Sequence, residues 1–209
     1  MMSVKDMIIR IRSSAHDQQE IGYDDVTLLS YINDGVRFIR RTVMAVYPML
    51  LADMEVSGAV EVAERKLELP EPISFLVDMR VNGRKLKLIN PQSLDNDDKG
   101  EPRFYYMQGF KHVCLVPVPD KEYSYSLTAI RDMVLLTLDD SSPFTNDMDD
   151  FLYEYVLIRA SLTNEFDMSQ ESTIMSTIVS QITSLVRENC AHGAQVQGYW
   201  QPERTTVRW

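Results

Sequence analysis

Residues 25–51 read DVTLLSYINDGVRFIRRTVMAVYPMLL, and their apolar spacing decides the fold class. Leu29, Ile32, Val36, Ile39, Val43 and Val46 recur at alternating intervals of three and four, which places them on one face of a helix and predicts a single long element. Asp24 or Asp25 can cap its start and Pro48 marks its end. A helix of roughly 22 residues extends about 33 Å, enough to span a small domain and to offer other helices a continuous apolar seam.

Working outward, Val4, Met7, Ile8 and Ile11 repeat at helical spacing behind Ser3, so a short amphipathic helix precedes the long one and is expected to lie against it. After Pro48 the helical period stops. From about Met54 to Met133 short alternating runs predict five to seven antiparallel strands: MEVSGAVEVA, RKLELP, SFLVDMRV, RKLKLI, RFYYM, KHVCLVPV and YSYSLTAIRDMVLL. Asn82-Gly83 supplies the two positive φ values of a type I′ turn between SFLVDMRV and RKLKLI. A second hairpin is expected to turn at Gln108-Gly109. Pro117 and Pro119 remove ladder donors, which puts that strand at a sheet edge or ends it there. The acidic loop NPQSLDNDDKGEP, residues 90–102, is long for a β connection and is expected to be exposed and mobile.

Helical periodicity returns after SSPFTNDMDD. Asn146 or Asp147 can cap, Asp149 and Asp150 suit the positive end of the helix dipole, and Phe151, Tyr155, Ile158, Leu162 and Phe166 form the stripe. Ser169 is expected to cap a last helix carrying Met175, Ile178, Ile182 and Leu185 and ending near His192-Gly193. The fold class is therefore α+β: a bundle of about four helices, from residues 1–52 and 134–193, with an antiparallel β module inserted at 53–133. The segment 194–209 forms a C-terminal arm.

With 209 residues and 44% hydrophobic content the chain can bury a substantial core. No apolar run reaches the roughly 18 residues of a membrane span, and the N-terminus lacks the apolar core of a signal peptide. Cys114 and Cys190 fall in unrelated segments and read as reduced thiols. The net charge of −10 is concentrated late: residues 1–52 balance six acids with six bases, whereas 134–209 hold eleven acids and four bases. Between Asp132 and Glu154 there is no Lys or Arg, which argues against a DNA-gripping surface and leaves either a solvated loop and helix start or a wall that repels DNA.

The sequence carries no catalytic signature. His16, His112 and His192 have no ligand spacing, and His112 with Cys114 makes half a zinc site at most. Adjacent pairs such as Asp97-Asp98 are explained by solvation or capping, NDMDD lacks the glycine and terminal glutamate of a calcium loop, and neither a phosphate loop nor a nucleophile elbow is present. No cofactor and no metal is expected. Partner-binding residues are more legible. Arg37, Arg40 and Arg41 form either a solvated helix face or a docking site for an acidic surface. In the arm, Tyr199, Trp200, Arg204, Arg208 and Trp209 have the composition of an interface anchor.

The stretches TLLSYINDGVRFIRR (27–41), LVPVPD (115–120) and DDFLYEYVLIRASLTNEFD (149–167), in this order of helix, β insertion and helix, resemble the head-to-tail adaptor, or tail tubular, proteins of short-tailed bacteriophages. The resemblance implies a structural virion protein, made in the host bacterial cytoplasm. It implies a ring of twelve copies below a portal protein, joining head to tail, contacting a tail nozzle protein and letting DNA pass without sequence-specific binding. Two other classes are set against it: a soluble enzyme or ligand binder using the β module as a pocket, and a protein-binding module of a cellular complex.

Overall fold

A computed structural model describes residues 2–14, 22–91, 98–162 and 168–197; side chains are described for these except 161–172 and 189–197. The fold is α+β, four helices together with two mainly antiparallel sheets. It divides into two compact units, Met1–Tyr47 with Leu135–Trp209, and Pro48–Val134.

The helical unit is built on α2, Asp25–Val46. Asp24 caps it by accepting the Thr27 N–H at 2.7 Å, and the helix stops one residue before Tyr47-Pro48. Its buried face consists of Leu28, Ile32, Asn33, Gly35, Val36, Ile39 and Val43. Leu29 and Val46, expected in that stripe, are half-buried. A strict alternation of three and four has a period of 3.5, and over six turns it drifts off the 3.6-residue face that the neighbours cover. Leu28 takes the inner position instead.

The first helix, α1, covers Val4–Ser14. Ser3 caps it: its Oγ accepts the Asp6 N–H at 3.1 Å and donates to the Asp6 carboxylate at 2.6 Å, a reciprocal arrangement that occupies an otherwise unpaired helix-start donor. The third helix, α3, spans Asn146–Leu162, and Thr145 takes the cap position, its carbonyl accepting from Asp149 N–H at 2.9 Å. The inner residues of α3 are Leu152, Tyr155, Val156 and Ala160; Phe151 and Ile158 of the expected stripe are half-buried, and the side chains of Leu162 and Phe166 lie outside the described residues. Gly35 is what lets α2 and α3 approach: a Cβ there would stand 2.5 Å from Leu152 Cδ1 and 2.9 Å from Tyr155 Cδ1.

The fourth helix, α4, runs Met168–Gln197, with Ile178, Ile182 and Val186 buried and Met175 and Leu185 half-buried. Its two ends differ from the sequence expectation. Ser169 lies inside the helix and is not its cap, and the helix continues through His192-Gly193, since one glycine costs only about 1 kcal/mol in a helix interior and the next proline is Pro202. Residues 194–197, expected in the arm, are thus helical.

In the β unit a 3-10 turn at Pro48–Leu51 precedes β1 (Met54–Val60), β2 (Lys66–Glu68), β3 (Ile73–Val81), β4 (Arg84–Lys85), β5 (Lys87–Leu88), β6 (Phe104–Gln108), β7 (His112–Val116) and β8 (Tyr123–Arg131). One sheet has the order β1-β8-β3-β4 and the other β2-β7-β6-β5. Asn82 and Gly83 have φ of +49° and +76°, as the I′ turn requires. The expected return strand RKLKLI breaks at the buried Leu86, however. Arg84-Lys85 pair with β3, whereas Lys87-Leu88 join the other sheet and pair in parallel with β6, so the module is not wholly antiparallel. The chain changes sheets here because Leu86 turns into the core shared by both, with Met79, Val81, Tyr105, Val113, Leu115 and Leu127. The second hairpin turns over Gly109, whose φ is +70°. β7 is an interior strand and ends at Val116, ahead of a cis Val116–Pro117 bond. The prolines therefore end the strand and do not place it at an edge. Beyond it Val118 exchanges main-chain bonds with the far end of the acidic loop, donating to Asp98 and accepting from Gly100, both at 2.9 Å. Residues 92–97 of that loop are outside the described residues.

Candidate functional site

The predicted arginine face lies on α2. Arg37 and Arg41 are exposed and one turn apart, on the stripe opposite Val36 and Ile39. Arg37 pairs with Asp34 one turn earlier at 3.0 Å, an exposed contact worth a few tenths of a kcal/mol that a partner can displace. Arg40 is half-buried and already engaged within the chain, so the three do not form a uniform cationic surface.

The acid-rich segment after Asp132 is less bare than its sequence implies. Lys5 donates to Asp139 at 2.6 Å and Arg10 to Asp150 at 2.9 Å, with the Arg10 guanidinium 4.1 Å from the Tyr153 ring centre. The hydrogen bond from Lys5 to Asp139, and then the Asp139 charge, hold the ammonium pKa above its ordinary value. Asp149, in the first turn of α3 as expected, is buried and accepts the Met2 N–H at 3.1 Å. The α1 segment thus compensates much of the segment that a DNA-repelling wall would need.

Among its described residues the β unit carries two hollows whose walls the sequence reading did not name. One, of about 470 Å³, is polar, with Glu55, Ser57, Asp78, Arg80, Ser126 and Thr128 on its walls. Burial works against the Asp78 charge, yet contacts from Arg80 at 2.7 Å and Lys85 at 2.9 Å outweigh it and keep its pKa below the usual value. A carboxylate held ionised between two cations is a poor general base. The other, of about 480 Å³, is apolar and is lined by Ile73, Phe75, Leu88, Tyr105, Met107 and Phe110, among others. Phe75, Leu88 and Phe110 are 44, 65 and 76% exposed. The available signal was Phe110 itself, an aromatic in a tight hairpin turn where polar residues are the rule.

His112 pairs in the ladder with Glu68 and Gln108, and the buried Cys114 thiol donates to Gln108 Oε1 at 3.8 Å. Among the described residues no group of three or more His, Cys, Asp or Glu side chains could hold a metal ion, and no helix is long and apolar enough to cross a membrane. Tyr199, Trp200, Arg204, Arg208 and Trp209 lie outside the described residues.

The sequence model of the SU10 adaptor protein family matches residues 2–194, through both units. The chain belongs to the SU10 adaptor protein family. The likeness to phage head-to-tail adaptors drawn from residues 25–167 is upheld by this match, and the protein is a phage adaptor of a structural family. No curated protein matches it. The matched region of the SU10 adaptor ends at residue 194, so the aromatic residues of 199–209 stand outside it.

Proposed function

We propose that this adaptor forms a closed ring of twelve copies below the portal of a phage head, binds the portal on one side and the tail nozzle protein on the other, and lines part of the DNA exit channel. The family match across residues 2–194 carries the reading. The architecture supports it. A ring requires unlike surfaces on each subunit that close by rotation, and two compact units offer separate surfaces to neighbours and to axial partners. The solvent face of α2 with Arg37 and Arg41, together with the arm residues Tyr199, Trp200, Arg204, Arg208 and Trp209, forms the partner interface. DNA passes without base-specific contact. Mixing the purified chain with the portal ring of the same phage tests this: negative-stain images should show an added ring on one face of the portal. A chain that leaves portal rings undecorated at saturating concentration refutes the reading.

A further inference from the structure

We propose that the apolar hollow of the β unit receives residues 198–209 of a second copy of this chain, so that the C-terminal segment of one subunit seats in the groove of the next. The groove is open, and Phe75, Leu88 and Phe110 present to solvent an apolar surface of the kind that marks an interaction site. Its walls add Tyr105 and Met107, a ring and a polarisable thioether, both favourable neighbours for an indole.

The occupant is chosen by chemistry and reach. Residues 198–209, GYWQPERTTVRW, hold both tryptophans of the chain and a tyrosine, side chains that each bury about 150–250 Å² when they find a pocket. Extended, this segment reaches about 40 Å from the end of α4. Among the described residues the lining of the groove carries no charged side chain, so the match is apolar; at its edge the Asp132 carboxylate, which accepts from Ser74 Oγ at 3.1 Å, stands next to Arg131, itself paired with Glu71. Segment and groove are unlike surfaces, so the contact is heterologous and can close into a ring; the choice of a second copy rests on the ring reading above.

The test uses the full chain with p-benzoylphenylalanine in place of Trp200, prepared in light and heavy isotope forms, mixed, irradiated and read by mass spectrometry. Portal-bound particles and the free chain at its highest soluble concentration are both examined. Mixed-isotope crosslinks to peptides containing Phe75, Leu88 or Phe110 are expected. Their yield should fall at least tenfold in Leu88→Asp and Phe110→Asp, whose parent side chains are exposed enough to change without unfolding the core. It should be unchanged in Val62→Asp, a 61% exposed position outside the groove. Crosslinks confined to one isotope form, crosslinks to other surfaces, or none at all overturn the proposal. Rings formed without these crosslinks overturn the docking and leave the ring reading intact, whereas crosslinks without rings on the portal sink the ring and keep the docking.

Discussion

The two units stabilise themselves by different means. Arg12, Asn33, Ser142 and Asp149, the buried polar and charged side chains among the described residues, all belong to the helical unit, whereas the β-unit cluster is apolar apart from tyrosines. Their partners explain the contrast. Asn33 on α2 donates to Leu136 O at 3.1 Å and accepts from Leu136 N–H at 2.8 Å. Asp149 takes the Met2 N–H, Ser142 N–H bonds Met2 O at 2.9 Å, and the Tyr23 hydroxyl donates to Ala160 O. Each of these contacts joins the N-terminal part of the unit to the part that follows the insertion, whereas Arg12 pairs at 2.8 Å with Asp25 within the N-terminal part. An apolar helix seam tolerates sliding, and a buried polar pair that is satisfied in only one register does not. The β unit is continuous in sequence and sets its register with tight turns such as Asn82-Gly83.

The largest effects should be equal in the two units, because burial does not depend on which device sets register. Ile39→Ala in the helical unit and Leu115→Ala in the β unit, both fully buried, should each cost roughly 2–5 kcal/mol in denaturant unfolding. A cost below about 1 kcal/mol at either site would show that its unit repacks freely, and the contrast would lose its basis.

Asn33→Ala comes next and bears directly on the register argument. It leaves both the N–H and the C=O of Leu136 without their partner, at about 1–3 kcal/mol for an orphaned buried group. If Asn33→Ala costs no more than Ser30→Ala on the solvent face, the polar clamp has no role. Gly35→Ala should follow at about 1–2 kcal/mol: the crowding against Leu152 and Tyr155 costs about 1–3 kcal/mol, partly offset by the better helix propensity of alanine. Stabilisation would mean that the Leu152 side chain yields.

Periodicity made the helices and the β insertion legible, since each is a local property of ten to twenty residues. It failed where several elements meet. Leu28 replaces Leu29 because three helices, and not one seam, define the inside of α2. Leu86 breaks a strand that looked continuous because the core it enters belongs to two sheets. Asn33 was visible as a polar residue beside Ile32 and Val36, but its partner at Leu136 is 103 positions away. The apolar groove takes walls from β3, β5, β6 and the Gly109-Phe110 turn, a juxtaposition that no local pattern encodes. On the expected partner surface the arginines were found on one helix, yet Arg40 was engaged within the chain.

The smallest effect concerns the start of α2 and separates a titrating device from one that does not titrate. The Thr27 hydroxyl, and then its backbone N–H, hold the Asp24 carboxylate below its ordinary pKa of 3.8. The folded state therefore binds this proton less readily than the unfolded chain. Its contribution is complete above the ordinary carboxylate value and is lost as pH falls through the lowered one. Asparagine caps about as well as aspartate and carries no proton in this range. Asp24→Asn should leave the unfolding midpoint at neutral pH close to that of the parent and make its decline below about pH 4 shallower. Glu68, Asp78 and Asp140, whose pKa values are also lowered, continue to titrate in both proteins, so only the difference between the two curves belongs to Asp24. Parallel curves would assign the acid sensitivity to the other carboxylates with lowered pKa values, Glu68 and Asp78 in the β unit and Asp140 in the helical unit, and leave the α2 cap without a share in it.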